Sequence, residues 1–527
     1  MTHFTGPTYT TPDYPPTVWQ LVERAADQRG DSIVLEDDYG RSLTARQLHD
    51  AALATAGGLH RQGVKPGSVV SWQLPTTLEA MVVKMALARL GAVQNPIIPM
   101  LREAEVGFIT DQIGTELLLV PEDWNGYSHG DLARRLADAQ GFQVIVVDHD
   151  TDPSSTGGDL RLVQGDPAEL PPAPAGGEEV RWLYFSSGTT SAPKGVRHTD
   201  RSVLASASGV IGQLGAEPDD VNPLAFPITH IGGITMLTAS LLTGMRLALF
   251  DKFDPASTGE RFAAHHVTLL GSAVPFYLVF MAAQKRHGSE PLYPKLRACL
   301  GGGAPVPAEV NAAVRATLGG SGIANAYGLT EFPVAASPKP TDPAEWLDLT
   351  VGQPVPGVTV RVVAEGEVEV GVGEEGELRL KGPQCFAGYL DPALDADAFD
   401  DDRWFRTGDL GLVDEDGNVR ITGRIKDLII RNAENISAGE VEEALFRHDR
   451  VADVAVIGVP DARTGERVCA VVVRAGDGEL TLEDLATHCQ GIGLARQKCP
   501  ERLEVVAALP RNSLGKVLKN ELRAQYR

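Results

Sequence analysis

The chain has 527 residues, of which 43% are hydrophobic and 22% are charged. These proportions are those of a soluble globular protein, and the length predicts about two to four domains or subdomains. The formal net charge of −23 disfavours nucleic acids and anionic membranes as partners, although local cations can still bind an anionic substrate.

Five cysteines form no C-x-x-C pair, so neither a disulfide framework nor a zinc site is expected. The first residues include no cationic start, and we find no apolar run near the roughly 18 residues that cross a bilayer. We therefore expect a cytoplasmic protein without a membrane span.

The first half of the chain alternates helix-like and strand-like patterns. Apolar residues at helical spacing predict helices at 43–63 and 77–90, the second ended by Gly91. Strands are predicted at 68–74 and 92–98. This alternation predicts an α/β layered fold with a largely parallel sheet.

A polar, glycine-containing run follows a predicted buried strand. Residues 150–177 predict a loop or linker, and the apolar residues 182–185 then lead into YFSSGTTSAPKGV at 184–196. Small residues let backbone N–H groups approach a ligand, and clustered hydroxyls with Lys194 suit triphosphate oxygens. The spacing differs from that of the common nucleotide-binding loop, so this segment alone is also compatible with a mobile turn.

Beyond about residue 351 the pattern becomes β-rich. Short valine-rich segments at 355–363, 366–372 and 377–381 predict an antiparallel β subdomain.

A last compact unit, residues 426–527, predicts a separate small domain. It contains a predicted helix at 439–446 and predicted strands at 451–459 and 467–474. The predicted domains are therefore 1–425 and 426–527.

The heptad NAYGLTE at 325–331 combines an amide, an aromatic ring, a hydroxyl and a carboxylate. Tyr327 is suited to stack on a base while Asn325 hydrogen-bonds its edge. Thr330 is suited to a phosphate and Glu331 to Mg²⁺. An aromatic-anchored turn is the alternative for this heptad alone.

Three further motifs place single charged residues at loop-like positions. Asp409 ends WFRTGD, where its two oxygens match the adjacent hydroxyls of a ribose, or it only forms a turn. Arg424 in GRIKD offers a planar fork for ribose or phosphate oxygens, or belongs to a solvated charge cluster. Lys516 ends PRNSLGK on a predicted loop tip, where an ordinary surface lysine is the alternative.

Together and in this order, these motifs resemble the adenylate-forming superfamily of acyl-CoA synthetases, adenylation domains and beetle luciferase. The resemblance runs over essentially the whole chain, from residue 90 to residue 519. It implies a large N-terminal adenylation domain of layered α/β subdomains plus a β subdomain. A small mobile α+β C-terminal domain would carry the catalytic lysine.

The resemblance also implies a two-step ligation that uses ATP, Mg²⁺ and CoA. A carboxylate attacks the α-phosphorus of ATP to give acyl-AMP and pyrophosphate, and the CoA thiol then displaces AMP to form a thioester. Lys516, Thr330, Glu331 and His230 are the implied catalytic residues, and Glu331 is the implied metal ligand. Lys516 would bridge the carboxylate and the α-phosphate, and Lys426 would stand at the hinge.

The residues that the resemblance assigns to nucleotide binding come from five motifs. They are Ser186, Ser187, Gly188, Thr189, Thr190, Lys194, Gly302, Gly303, Ala304, Pro305, Asn325, Ala326, Tyr327, Gly328, Asp409 and Arg424.

Two positions depart from the family pattern. Ser191 stands in the phosphate loop where glycine is usual, and Asn432-Ala433 replaces a usual Gly-Gly in a segment that lines the thiol tunnel of CoA ligases. Asn tolerates left-handed backbone angles whereas Ala does so poorly, which leaves the path of the pantetheine open.

His230 in PITHIGG resembles the residue that gates the acyl pocket in this family, and a core histidine is the alternative. Gly232 and Gly233 would leave room beside it, whereas Met236 and Ala326 would fill space. No cationic residue is evident to pair with a second carboxylate, so a mainly apolar small-molecule carboxylic acid is expected. The stretches QNPIIP at 94–99 and RNAENIS at 431–437 resemble bacterial medium-chain or alicyclic acid ligases, such as cyclohexanecarboxylate-CoA ligases.

Other acceptors and activities remain open at this stage. The alternative function is an adenylating enzyme that loads a carrier protein, and a catalytically silent nucleotide-binding protein is disfavoured by the intact motifs. A homodimer and a lysine acetyltransferase that acts on Lys516 are further expected partners.

Overall fold

The computed structural model describes residues 3–6, 13–148, 160–186, 193–224, 226–432, 434–512 and 515–527. The helices are α1 (Val18–Arg29), α2 (Ala45–Arg61), α3 (Leu78–Leu90), α4 (Glu103–Ile113), α5 (His129–Gln140), α6 (Asp200–Leu214), α7 (Ile231–Thr243), α8 (Thr258–Ala264), α9 (Val274–His287), α10 (Ala308–Leu318), α11 (Ala344–Leu349), α12 (Asp395–Ala398), α13 (Ala438–Phe446), α14 (Leu482–Gly491) and α15 (Lys519–Tyr526).

The strands of the first half are β1 (Phe4–Thr5), β2 (Ile33–Asp37), β3 (Ser42–Thr44), β4 (Val69–Trp72), β5 (Val93–Pro96), β6 (Leu117–Val120), β7 (Asp123–Trp124), β8 (Tyr127–Ser128), β9 (Gln143–Val146), β10 (Val180–Ser186), β11 (Lys194–Thr199), β12 (Val221–Leu224) and β13 (Arg246–Leu249). Those of the second half are β14 (Leu269–Gly271), β15 (Ala298–Gly302), β16 (Ile323–Leu329), β17 (Phe332–Ser337), β18 (Gln353–Pro354), β19 (Thr359–Ala364), β20 (Val368–Glu369), β21 (Gly376–Lys381), β22 (Phe405–Val413), β23 (Val419–Arg424), β24 (Leu428–Arg431), β25 (Glu434–Ser437), β26 (Val451–Asp461), β27 (Gly465–Arg474) and β28 (Arg502–Val505).

Two largely parallel sheets form the first part of the molecule. One has the order β11-β10-β5-β4-β6-β9, with β10 and β11 antiparallel at its edge. The other has the order β12-β13-β2-β3, with β3 antiparallel at its edge. The predicted α/β fold with a largely parallel sheet is confirmed.

Helices cover these sheets and share one core with them, in which Trp19, Trp72 and Trp182 are fully buried. The predicted helix at 77–90 forms as α3, whose first turn is capped by the Thr77 hydroxyl. It ends at Gly91, which adopts the left-handed conformation (φ 68°) that glycine reaches without strain.

A third sheet, of order β14-β15-β16-β17-β18, is parallel over its first three strands and antiparallel over the rest. Gly271, Leu300 and Ala324 stand side by side across these parallel strands. The carboxyl ends of the three strands therefore lie at one edge, which is where ligands bind in open α/β sheets.

The predicted antiparallel β subdomain is confirmed as the sheet β1-β19-β21-β22-β23, with β20 paired to β19. Its core contains Phe386, Phe399 and Phe405.

The C-terminal unit has its own sheet, β25-β24-β27-β26, with β28 paired to β27. Separate apolar clusters cover its two faces, one with α13 and α14 and the other with α15. The predicted helix and both predicted strands form as α13, β26 and β27. The molecule thus has a large N-terminal domain and a small C-terminal domain, and a boundary at residue 426 stays a prediction.

Several contacts join the domains in the arrangement seen here, among them the Ser437 hydroxyl, which donates to the Thr422 carbonyl at 2.6 Å. Arg447 and Glu309 form an ion pair at 3.4 Å. A Cβ on Gly515 would lie 3.3 Å from the Pro275 ring and 3.8 Å from the Ala273 Cβ, so the loop that carries Lys516 lies against the start of α9.

Residues 160–177 form no regular element except a single turn of 3₁₀ helix at Pro167–Glu169, as expected for a linker. Among the helices of the described chain, none combines the length and apolar character that crossing a bilayer requires.

Candidate active site

Residues of both domains line a cavity of about 1710 Å³. The sequence-predicted residues on its lining are Ser186, Lys194, His230, Gly302, Gly303, Ala326, Gly328, Thr330, Glu331, Arg424, Lys426 and Lys516. The predicted residues that are not part of this lining are Ala304, Pro305, Asn325, Tyr327 and Asp409. Ser187, Gly188, Thr189 and Thr190 lie outside the described residues.

The two described ends of the predicted phosphate-binding segment meet at the cavity. The strand β10 ends at Ser186, as predicted, and Ser186 stands directly opposite Lys194 of β11 in the antiparallel pair. Both residues therefore line the cavity from the same end of the β10–β11 pair.

The glycine-rich end of β15 packs tightly against β16. Gly301 pairs with Asn325 and Gly302 pairs with Ala326. A Cβ on Gly301 would lie 2.6 Å from the Asn325 Oδ1, so only glycine fits there. The Asn325 amide also donates to the Ala304 carbonyl at 3.3 Å, which ties the strand end to the segment that follows it.

Asp409 is held by two partners that lie close in space and far apart in sequence. The Tyr327 hydroxyl donates to Asp409 Oδ2 at 2.7 Å, and Arg424 Nε lies 2.6 Å from Oδ1. Asp409 and Arg424 are direct neighbours across β22 and β23. Burial and then the Asp409 charge raise the pKa of Tyr327 well above its usual value, so Tyr327 stays a neutral donor.

Glu331 and Lys194 are joined by a tyrosine that sequence reasoning did not identify. The Tyr389 hydroxyl donates to Glu331 Oε1 at 2.8 Å, and Lys194 Nζ lies 5.3 Å from the centre of the Tyr389 ring. Burial and Glu331 raise the pKa of Tyr389, which keeps it protonated. No motif marks this residue, because its partners are about 58 and 195 positions away in the chain.

A buried histidine, also missed, holds the backbone of the NAYGLTE segment. His198 Nε2 donates to the Thr330 carbonyl at 2.7 Å, and Nδ1 contacts the Ser202 hydroxyl at 2.9 Å. Burial lowers the pKa of His198 to about 4, so it is neutral near pH 7. A neutral imidazole has one N–H, which the Thr330 carbonyl takes, so Nδ1 is an acceptor. The single Ser202 hydroxyl hydrogen has two acceptors within reach, this Nδ1 and the Thr199 carbonyl at 3.0 Å.

Lys516 lies on a tight turn in which its N–H donates to Asn512 Oδ1 at 2.9 Å. Burial, followed by repulsion from Arg424 and Lys426, lowers the pKa of Lys516 to about 8, although Asp409 and Asp427 act in the opposite direction. The turn confirms the predicted loop position, and the charges show that Lys516 faces the Asp409–Arg424 pair.

His230 is the N-cap of α7 and lines the cavity. Its Nδ1 accepts the N–H of Gly232 at 3.2 Å, so in the neutral ring Nε2 carries the proton. Burial lowers the pKa of His230 to about 4, which makes that neutral form dominant near pH 7. A Cβ on Gly232 would lie 3.2 Å from this Nδ1 and 3.3 Å from the Phe226 ring, which explains the glycine beside the histidine.

Lys426 lies in a turn and Asn432 at a hairpin tip, and the hinge role of Lys426 stays a prediction. Lys426 lies in the 3₁₀ turn Ile425–Asp427, between the last strand of the β subdomain and the first strand of the C-terminal sheet. Asn432 has φ 50° at the tip between β24 and β25, in the left-handed region that Asn tolerates. Ala433, like Ser191, lies outside the described residues.

The carboxylate of Glu331 is a suitable ligand for Mg²⁺ in a site that also uses the phosphates of a bound nucleotide. Among the described residues, no group of three or more His, Cys, Asp or Glu side chains could hold a metal by itself. Mg²⁺ usually takes one or two carboxylates together with substrate phosphates and water. Glu331, on the cavity and near Lys194, fits such a site.

Residues 22–390 match the family described as AMP-binding enzyme, and residues 440–516 match the AMP-binding enzyme C-terminal domain. The first match spans more than half of the chain, so the chain belongs to the AMP-binding enzyme family. The predicted membership of the adenylate-forming superfamily is thereby confirmed.

Relatives with different acyl acceptors match almost the whole chain. A medium-chain fatty-acid–CoA ligase of Escherichia coli (strain K12) is 32% identical over 96% of this chain and 89% of its own. A salicyl-AMP ligase / salicyl-S-ArCP synthetase of Mycobacterium tuberculosis is 34% identical over 97% of this chain and 90% of its own. The crystal structure of ATP-bound MatB from Rhodopseudomonas palustris is 28% identical, with a TM-score of 0.85 over 96% of this chain and 99% of that one.

Proposed function

We propose that this protein is an ATP-dependent carboxylic acid–CoA ligase that forms an acyl-AMP intermediate and then an acyl-CoA thioester. The observation that carries the proposal is the convergence of Lys194, Glu331 and Lys516 on one cavity. ATP binding is supported by the family and by the ATP-bound neighbour, and CoA as acceptor by the ligase relatives.

The first half-reaction brings two anions together. Two unit charges 4 Å apart repel by about 1 kcal/mol in water and by about 4 kcal/mol at an effective dielectric of 20. A closed site therefore needs cations beside the carboxylate and the α-phosphate. We assign this role to Lys516, while Ser186 and Lys194 bind the departing pyrophosphate. Bound Mg²⁺ at Glu331 would supply a further positive charge to the phosphates.

The nucleotide lies, in this proposal, along the edge formed by β15, β16 and β22. Asp409 binds the ribose hydroxyls, since each of its oxygens keeps a second lone pair beyond the contacts with Tyr327 and Arg424. Arg424 supports the same sugar, and the backbone of Gly302 and Gly303 lies beside the base. Tyr327 either stacks on that base or serves chiefly to hold Asp409.

The acid occupies the part of the cavity beside His230. The lining residues from α6, β12, α7, β14, β15 and β16 include no cationic side chain among those that the structure describes. This supports an acid without a second carboxylate, of the medium-chain or alicyclic kind. A neutral His230, with its proton on Nε2, is suited to contact the substrate carboxylate or to gate its entry.

A second candidate function differs from the first in the molecule that accepts the acyl group. One relative is named as a synthetase that loads a carrier protein, so a carrier-loading enzyme is the alternative. Self-association and acetylation of Lys516 stay predictions.

The test is a pair of assays on purified protein with ATP, Mg²⁺ and a panel of acids. Acid-dependent exchange of pyrophosphate into ATP reports the first step, and mass spectrometry of acyl-CoA reports the second. We expect both signals for at least one apolar acid. Pyrophosphate exchange without acyl-CoA formation would favour a carrier protein over CoA as the acyl acceptor. No exchange with any acid would refute the proposal.

Lys516→Ala separates the two steps. We expect acyl-AMP formation to fall by about 10²–10³-fold, because a cation aimed at developing charge is lost. Thioester formation from supplied acyl-AMP should be retained. Lys285→Ala, at an exposed lysine of α9, is the matched control. Equal loss in both half-reactions would contradict the role assigned to Lys516.

A further inference from the structure

The acyl side of the cavity contains a buried amide that neither the motifs nor the proposed chemistry uses. Asn222 lies on β12, is 2% exposed and lines the cavity. Val210 and Leu214 of α6 and Leu300 of β15 line the same cavity, so the amide belongs to a mostly apolar wall.

Within the described part of the chain, the side-chain amide of Asn222 is unpaired. Its backbone pairs with Leu247 in the parallel register of β12 and β13, but its side chain makes no hydrogen bond to any residue that the structure describes. Thr235, a polar neighbour on the same cavity, instead satisfies its hydroxyl by donating to the Ile231 carbonyl at 3.0 Å. A buried amide normally has partners, because leaving it unpaired is costly.

The surrounding backbone leaves the amide accessible from the cavity. A Cβ on Gly271 would lie 4.0 Å from Asn222 Oδ1 and 3.7 Å from the Leu300 Cβ, so the missing side chain keeps this space open. The next residue, Ser272, also lines the cavity and has φ 135°, a strained value for a residue with a side chain. Strain of this kind is concentrated at ligand sites.

Asn222 lies below the nucleotide end of the cavity. It approaches Gly271, which stands level with Leu300 in the sheet. Gly302 is two residues nearer the carboxyl end of β15, which corresponds to about 6.6 Å along a strand. A group that reaches Asn222 therefore sits at the end of the acid remote from its carboxylate.

We propose that Asn222 recognises a hydroxyl or carbonyl oxygen at the remote end of the substrate acid. An amide offers one acceptor and two donors, so either oxygen group satisfies it. The substituent is neutral, because no cationic side chain of the described lining stands on this wall. The inference rests on the proposed ligase function and narrows its substrate to a compact, otherwise apolar acid with one oxygen-bearing substituent.

The test uses acids in matched pairs, each with and without the oxygen. Suitable pairs are cyclohexanecarboxylate with its 4-hydroxy and 4-oxo derivatives, and benzoate with 4-hydroxybenzoate. For each pair, kcat/KM is measured by acid-dependent pyrophosphate exchange. We expect the wild type to favour the oxygenated member by about tenfold to about 100-fold, since the plain acid leaves the amide unpaired.

Two substitutions at Asn222 separate recognition from packing. Asn222→Leu should bring the ratio to one or below, and Asn222→Ser, which keeps a hydrogen-bonding group, should retain part of the preference. Val210→Ala, which changes the volume of the same cavity without touching the amide, should scale both members of a pair alike. The thermal shift produced by ATP with Mg²⁺ reports whether each variant is folded.

The outcomes distinguish this inference from the function on which it rests. Equal ratios in the wild type and Asn222→Leu, or a wild-type preference for the plain acids, would overturn the inference and leave the ligase function intact. If ATP no longer raises the melting temperature of Asn222→Leu, that variant is not folded well enough to be informative. The ratio of kcat/KM values within each pair of acids, measured in Asn222→Ser, then tests the inference: a ratio equal to that of the wild type would overturn it. Absence of exchange with every acid, in a wild type that still shows the ATP shift, would overturn the function and the inference together.

Discussion

Lys516 carries its charge in surroundings that work against it. Burial and the neighbouring cations Arg424 and Lys426 lower its pKa to about 8, compared with the ordinary value of 10.5. The carboxylates of Asp409 and Asp427 face the same amine and limit the shift. A lysine held in this way remains charged at neutral pH but needs an anion nearby, which the substrate carboxylate and the α-phosphate provide in our proposal.

This environment predicts the pH dependence of the first half-reaction. The protonated lysine is the active form, so kcat/KM for pyrophosphate exchange should be flat below the pKa and fall as the pH rises through about 8. Lys426→Met removes one repelling charge and should move this limb to higher pH. A limb that stays in place in Lys426→Met, or that lies near 10, would contradict this account of the charges.

His230 and His198 should not contribute to that profile between pH 6 and 8. Burial lowers the pKa of both to about 4, so each stays neutral across this range. On acidification, both take up protons less readily in the folded chain than in the unfolded chain. They therefore stabilise the fold above about pH 6.5, and this contribution is lost as the pH falls toward 4.

At the scale of elements, the tip of the hairpin of β24 and β25 requires a residue that tolerates a left-handed backbone conformation, and Asn432 occupies this position. Asn432, at φ 50°, donates its N–H to the Thr464 carbonyl at 2.8 Å, so the tip is tied to the turn before β27. Asn at this position therefore provides the left-handed conformation that this tip requires.

Asn432→Val should destabilise the chain by about 1–2 kcal/mol, because a β-branched residue is strained at positive φ. Asn432→Gly should be nearly neutral and serves as the matched control. If the hairpin lines the thiol path in the second half-reaction, thioester formation should fall in Asn432→Val while pyrophosphate exchange is retained. Urea unfolding measures the first effect. Equal stability of the two variants would show that the tip tolerates a non-glycine residue more freely than this geometry implies.

The sequence predicted best the elements whose apolar residues recur with a regular period or whose ends are marked by a glycine or by a change to polar residues. The helix α3, closed by Gly91, and the strand β10, ended by Ser186, both follow from residues adjacent in sequence. The contacts that complete the site do not. Tyr389 reaches Glu331, and His198 reaches the Thr330 carbonyl, across long stretches of chain, and neither Tyr389 nor His198 stands in a motif that the sequence reveals.

At the scale of the whole molecule, the site is assembled from both domains. The Lys516 loop lies against Ala273 and Pro275, and the Arg447–Glu309 ion pair holds the domains at a second point. Both partners of this pair are 45% exposed, so it contributes little stability by itself. A docking of this kind is compatible with a C-terminal domain that undocks between the two steps.

A cross-link across this ion pair tests whether the domains must move. In the double variant Arg447→Cys/Glu309→Cys, a short bismaleimide should lock the arrangement seen here. We expect the locked protein to keep pyrophosphate exchange and to lose thioester formation by at least about tenfold. The single-cysteine variants treated with the same reagent are the controls, since four of the five native cysteines are buried and Cys385 is half-buried. Undiminished thioester formation in the locked protein would exclude a required rotation.

The sequence alone determined the family, the two-domain order and the identity of the charged residues, because the motifs that carry them are short and contiguous. Lys194, Glu331 and Lys516 could be singled out in this way. Only the tertiary structure decided how they meet: which tyrosine positions Glu331, which cations lower the pKa of Lys516, and that Asn222 lines the same cavity. Those facts depend on contacts between strands and domains distant in the chain, and such contacts leave no periodicity for a local pattern to reveal.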